Sequence, residues 1–204
     1  MKLFSSVICM LLLVGCQLTP VVEKTILFNG KDLTNWKISN FGGEGEVTIE
    51  DKCIRFEYGM PISGITWTGE KIPVLNYEIS LEAMRLGGND FFVGLTFPYK
   101  ETHLSLILGG WGGFTCGISS FDHIDASENE TSFTEIFEKK RWYKILLKVQ
   151  DDHIVAFLDG KKVIDTKIKG RKAHIRPEVE PSKPLGLSSF ETQALYRNLT
   201  LRKL

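Results

Sequence analysis

Apolar and polar residues alternate with a period of two along much of this chain. YEISLEAMR, Tyr77–Arg85, sets Tyr77, Ile79, Leu81 and Ala83 against Glu78, Ser80 and Glu82. Successive side chains of a strand point to opposite faces, so this spacing predicts a strand with one buried face and one wet face. Tyr143, Ile145, Leu147 and Val149 alternate in the same way with Lys144 and Lys148. Asp90–Phe97 and Ser105–Leu108 are apolar and aromatic and read as further strands. HIVAFLDGKKVID, His153–Asp165, has two strand-like arms around Asp159-Gly160. Asp-Gly tolerates positive φ at both central positions of a tight turn, so it predicts a hairpin. ALYRNLTLRKL closes the chain and predicts a last strand through Leu195, Leu199 and Leu201. Only Phe133–Lys140 reads as a short helix.

Many short strands, turn signals between them and almost no helix predict an all-β, two-sheet antiparallel sandwich. A length of 204 residues suits one such domain, assigned to residues 25–204. The N-terminus is excluded from it as a targeting segment. Met1-Lys2 and the apolar Leu3–Val14 lead into LVGC, Leu13–Cys16, which fits a bacterial lipoprotein signal. The apolar run is shorter than the roughly 20 residues a spanning helix needs. The expected processing removes residues 1–15, acylates Cys16 and leaves residues 16–24 as a tether at a membrane.

Charge narrows the choice of partner. Lys and Arg total 25 and Asp and Glu total 25, a formal net charge of zero. Without a basic excess to neutralise phosphates, nucleic acid is not an expected partner. With Cys9 in the leader and Cys16 acylated, Cys53 and Cys116 remain, and two separate buried thiols are expected over a disulfide.

Chemistry-bearing residues concentrate in the middle of the chain. LILGGWGGFTCG, Leu106–Gly117, flanks Trp111 with Gly109, Gly110, Gly112 and Gly113. Glycine weakens strands, so the cluster predicts a bulge or tight hairpin. It either makes room for a buried tryptophan or lets a flat ligand stack on Trp111. SSFDHIDASENET, Ser119–Thr131, follows with Asp122, His123, Asp125, Glu128, Asn129 and Glu130. It reads as a solvated loop, a catalytic loop, or an oxygen-rich site for a divalent metal ion such as calcium or magnesium. His103 precedes this region and has the side chain best suited to proton exchange near neutral pH. Asp90 either faces a pocket or caps a turn after Gly87-Gly88-Asn89. KAHIRPEVEPSKP, Lys172–Pro184, is a long proline-marked loop in which Arg176 either holds a ligand or pairs with Glu178 or Glu180.

Three blocks carry a family resemblance: TILFNGKDLTNWKI at 25–38, RWYKILLKVQDDHIVAFLDGKKVIDT at 141–166, and PLGLSSFETQALYRNLTLRKL at 184–204. Together they resemble the bacterial 3-keto-disaccharide hydrolase domain family. That resemblance implies a concanavalin A-like, laminin-G-like jelly roll acting on oxidised sugars at the bacterial envelope. The middle of the chain departs from the family pattern. GGNDFFVGLTFP stands where an "N-S-G-I-x-F-R" strand is common, and GLSSFE, Gly186–Glu191, replaces "G-L-Q-x-H-G" without a histidine.

A ketone at C3 of a hexose acidifies the hydrogen on C2, and loss of that proton lets the enolate expel the C1 substituent. Such a site needs a base, an oxyanion partner and a proton donor. The expected catalytic residues are His103, Asp125, Glu128 and Arg176, with Asp90, Trp111, Asn129, Glu130 and Glu178 binding substrate. The alternatives are a non-catalytic carbohydrate-binding lipoprotein, with Trp111 or Trp67 as stacking platform, and an envelope scaffold.

Overall fold

The computed structural model describes residues 24–204; the expected leader and Cys16 lie outside the described residues. Two antiparallel sheets face each other across one core. The first sheet runs β13 (Lys161–Lys167), β12 (His153–Leu158), β11 (Trp142–Val149), β6 (Tyr77–Gly88), β15 (Thr192–Lys203), β4 (Cys53–Phe56) and β3 (Val47–Glu50). A short β1 (Lys24–Ile26) pairs with the end of β15. The second sheet runs β10 (Phe133–Thr134), β9 (Thr115–Ser119), β8 (Thr102–Gly110), β7 (Val93–Tyr99), β14 (Gly186–Phe190), β5 (Ile62–Trp67) and β2 (Trp36–Ile38). This is the expected all-β sandwich.

The period-two pattern explains the first sheet. Tyr77, Ile79, Leu81 and Ala83 of β6 and Tyr143, Ile145, Leu147 and Val149 of β11 are all buried in the shared core. The alternate residues make a charged outer face. Glu82 lies between Lys144 and Arg197 in register, and Glu78 between Lys148 and Arg202. Arg197 reaches Glu82 at 2.7 Å and Arg202 reaches Glu78 at 2.8 Å. Opposite charges facing each other across strands favour this register over a slipped one. The hairpin joining β12 and β13 turns at Asp159 (φ 49°) and Gly160 (φ 82°), the two positive angles its sequence predicts.

The second sheet differs on its outer face. Leu95, Phe97, Leu104, Leu106, Leu108 and Leu187 point into the core. The intervening Thr96, Ser105, Ser119 and Ser188 are buried as well, although they are polar and point outward. A crossing segment covers them: it follows β13, carries a 3-10 turn at Pro177–Ser182, and returns to β14. At one end His174 and Ser120 exchange two backbone hydrogen bonds of 3.0 Å. At the other, Thr66 Oγ1 donates to the Pro181 carbonyl at 2.6 Å.

The expected helix at Phe133–Lys140 does not form. Phe133 and Thr134 pair with Cys116 and Thr115 as an edge strand. Phe137 then packs edge-on against Phe92 and Tyr143, at centroid separations of 4.8 and 5.0 Å. Core packing and edge pairing override a weak local preference. Cys53 and Cys116 are free, buried and on different sheets, as the thiol reading expects.

Candidate functional site

A cavity of about 240 Å³ opens on the outer face of the second sheet, between the crossing segment and the loops before β7 and after β8. It is lined by Ser105, Ile107 and Ser119 from β8 and β9, by the polar or amphipathic Asp90, Trp111, Arg176 and Glu178, and by the apolar Ile62, Phe91, Val179 and Phe190. Four of the nine sequence-predicted site residues therefore meet here, from three separate stretches of chain.

Two of the four glycines, Gly109 and Gly113, are explained by an arginine. Arg85 is buried, and its Nη2 donates to the carbonyls of Asp90, Gly109 and Gly113 at 3.1, 3.1 and 3.0 Å. A Cβ at Gly109 would run into that Nη2, and one at Gly113 would crowd Nη1 and the Asn89 carbonyl. Both glycines also have positive φ, 75° and 105°. So Gly109 and Gly113 make room for Arg85, and the cluster does not enclose a buried tryptophan. Trp111 is 39% exposed at the mouth of the cavity. The expected turn between β8 and β9 is present, with a register shift between Ile107 and Gly110.

Asp90 sits on the same scaffold. Its Oδ1 accepts from the Phe91 amide at 2.7 Å, and among the described residues Oδ2 accepts only from the Gly112 amide, at 3.4 Å. Thr192 Oγ1 and the Asp90 backbone hold each other at 3.1–3.2 Å. This carboxylate is anchored by one oxygen and keeps acceptor capacity on the other.

Arg176 projects from the crossing segment, just before its 3-10 turn. Its Nη2 and Nε donate to Glu178 at 3.0 and 3.3 Å, and its Nη1 donates to Asp125 at 2.7 Å. Asp125 in turn accepts from Ser120 Oγ at 2.8 Å. The hydrogen bonds from Arg176 hold the Glu178 carboxyl below its ordinary pKa. Glu178 is thus kept ionised, and Asp125 orients the guanidinium from behind.

The remaining predicted residues fall outside the cavity. His103 shares the outward face of β8 with Ser105, two residues further along, and does not line it. Burial holds its imidazole below the ordinary pKa, and the Lys183 charge adds to that. Glu128 is exposed, and among the described residues only its backbone is engaged, its N–H donating to the Asp125 carbonyl at 3.0 Å. Asn129 is buried and donates to the carbonyls of Ile118 and Ile124 while accepting from Thr131, so it staples the loop and does not line the cavity. Glu130 is occupied by Arg171, which also holds Asp122. The acidic loop's cations are arginines: among the described residues no group of three His, Cys, Asp or Glu is arranged to hold a metal ion. Trp67, the other candidate platform, is buried against Trp36 at 5.1 Å.

Sequence reasoning missed Ser105, Ser119, Phe91 and Phe190. A serine on a strand and a phenylalanine beside one look like ordinary packing residues until the topology is known.

The model of the 3-keto-alpha-glucoside-1,2-lyase-like domain matches residues 23–202. The chain belongs to that family. No curated protein matches it in sequence. Among solved structures, the fold is similar to that of a candidate glycosyl hydrolase from Parabacteroides distasonis ATCC 8503, with a TM-score of 0.55 at 15% identity over 89% of this chain and 94% of that one. Carbohydrate binding module CBM66 from Bacillus subtilis is similar at a TM-score of 0.51 and 15% identity, over 83% and 96% of the two chains. The Crh5 transglycosylase in complex with NAG reaches a TM-score of 0.62 at 11% identity, over 88% and 83%. At such identities these neighbours establish the fold of this family member and nothing finer.

Proposed function

We propose that this domain is carbohydrate-active and that its cleft cleaves a glycoside carrying a ketone at C3. The observation that carries the reading is the convergence of Trp111, Asp90, Arg176 and Glu178 on one cavity. An exposed indole offers a face for the C–H side of a sugar ring. Arg176, already oriented by Asp125, supplies N–H donors for the C3 oxygen as negative charge develops there. Glu178, ionised, accepts hydrogen bonds from sugar hydroxyls.

Asp90 is the base in this scheme, because its Oδ2 is the least committed carboxylate oxygen in the cleft. It takes the C2 proton, and the C–H electrons form the C2–C3 enolate. The enolate then re-forms the C3 ketone, its C2–C3 π electrons making a C1=C2 double bond as the C1–O bond breaks, and the departing oxygen takes the proton back from Asp90. Water adding across that double bond, its oxygen to C1 and a proton to C2, completes a hydrolysis; without that step the unsaturated ketone is the product of a lyase reaction. His103 and Glu128 have no role in this assignment.

The test is turnover of a 3-keto-glucoside by wild type and Asp90→Asn. The reading expects a loss of at least about 100-fold in kcat with sugar binding retained. A second reading, binding without cleavage, is favoured by the commitment of Glu178 to Arg176, which leaves a single free carboxylate. Glycan binding by a wild type that releases no product from 3-keto substrates selects it.

The expected leader and LVGC motif support an envelope location, with Cys16 acylated and membrane-bound. Cys16→Ser then moves the protein from the membrane fraction to the soluble fraction; unchanged fractionation refutes the anchor.

A further inference from the structure

The two ends of the cleft differ in chemistry, and the sheet order separates them. Across the second sheet the strands run β9, β8, β7, β14, β5. Ser119 comes from β9 and Ser105 from β8, beside the Asp125–Arg176–Glu178 group. Phe190 comes from β14 and Ile62 from β5, and these two are register partners. Four strand spacings of about 4.8 Å put Ser119 and Ile62 roughly 19 Å apart, and two put Ser105 and Phe190 roughly 10 Å apart.

At the β14–β5 end the lining is Phe190 and Ile62, joined by Phe91, whose ring packs on that of Phe190, and by Val179; Asp90 and Glu178 are the chain neighbours of the last two and border this apolar surface. Its two aromatic rings lie 5.8 Å apart and tilted by 48°. The Phe91 ring reaches over Gly94 of β7, whose missing side chain leaves room for it. Phe91 and Phe190 remain partly exposed, so the end is open to a ligand. On the Phe190–Ile62–Phe91 surface itself a sugar's hydroxyls find only apolar side chains, whereas an alkyl or aryl group would bury apolar surface.

We infer that the polar end receives the sugar ring and that the Ile62–Phe91–Phe190–Val179 end receives an apolar aglycone. The substrate class is then a glycoside of an apolar alcohol or phenol, in preference to a disaccharide. This rests on the reading of the cleft as a sugar site. The volume agrees: about 240 Å³ is below the roughly 300 Å³ at which drug-sized pockets begin, room for one ring and a compact group.

Binding and turnover separate the inference from the reaction. Calorimetry on the whole mature protein compares methyl glucoside, hexyl glucoside and α,α-trehalose, both anomers of each alkyl glucoside being used. Burying even two of the five additional methylenes gives hexyl about a tenfold advantage over methyl. Phe190→Ser and Ile62→Ser bring that ratio toward one. A hexyl-to-methyl ratio of fivefold or more that collapses in both variants supports the inference. A smaller ratio, no measurable hexyl binding, tighter trehalose binding, or a ratio that survives both substitutions overturns it. The 3-keto forms of the methyl and hexyl glucosides are then tested for turnover. No turnover with the hexyl preference intact refutes cleavage and leaves the apolar pocket standing; turnover with a flat ratio does the opposite.

Discussion

The Nη2 of Arg85 occupies the space a side chain at Gly109 would need, and donates to the Gly109 carbonyl at 3.1 Å. One buried guanidinium therefore fixes the turn that carries Trp111 and, through the Asp90 carbonyl, the loop that carries the proposed base. Arg85 also lies over the Phe92 and Phe137 rings, at 5.1 and 5.6 Å. Burial lowers its pKa from the ordinary arginine range, but three carbonyl acceptors and two ring faces favour the charge.

Gly109→Ala is expected to destabilise the domain by about 3 kcal/mol, because it combines a positive φ with displacement of Arg85. Gly160→Ala is the control. Its φ is 82°, yet nothing lies within 4 Å of the added Cβ, so only about 1 kcal/mol is expected. Urea denaturation measures both, and equal losses would show that Arg85 does not exclude a side chain at 109.

Burial pushes the Cys116 thiol up to about 12, with nearby Glu135 adding to the effect. Almost none of it is thiolate at pH 8, and the thiolate is the nucleophile. Cys116 is therefore expected to react with a maleimide or disulfide reagent only at the rate of unfolding, rising steeply in denaturant. Rapid labelling of native protein at Cys116, located by mass spectrometry, contradicts the packed position on β9.

The strands were largely legible in the sequence, and the reason is visible in β6. Its glutamates and its apolar residues alternate because one face meets water and the other meets the core. Asp159-Gly160 was legible because few dipeptides accept two positive φ angles. Phe133–Lys140 was misread because its fate depends on β9 and on the Phe92–Tyr143 pocket, neither of which is local. The cleft was half legible. Asp90, Trp111, Arg176 and Glu178 stood out by chemistry, but so did Glu128, Asn129 and Glu130 on the same grounds. Charge density in a loop does not say which way a side chain points. Phe190 stands where the family pattern carries a histidine, and that departure was visible before its position at the apolar end was.

His103 offers a pH test with a definite sign. Its folded pKa is lowered, so the unfolded chain binds its proton more readily. Stability should therefore rise with pH through the window just below the ordinary histidine value of 6.5 and level off above it. His103→Gln should flatten that part of the curve. Denaturation midpoints at several pH values between about 5 and 8 read the slope; an unchanged slope in the variant places the imidazole in solvent.

Arg176 and Glu178 make the sharpest contrast between stability and function. Their side chains are 35% and 56% exposed, so the ion pair contributes at most about 1 kcal/mol. Glu178's folded pKa is depressed, so this contribution is present above the ordinary value of 4.5 and fades as pH falls through the lowered one. Arg176→Gln should thus move the Glu178 titration, followed by carboxyl NMR, up toward 4.5 while leaving the thermal midpoint within a few degrees of wild type. The same substitution should weaken binding of a 3-keto-glucoside by at least about tenfold, since a charged donor to the ketone is lost. Loss of binding with a large loss of stability would make Arg176 a brace for the crossing segment. Loss of binding alone leaves it facing the ligand, with Asp125 behind it as the positioning residue.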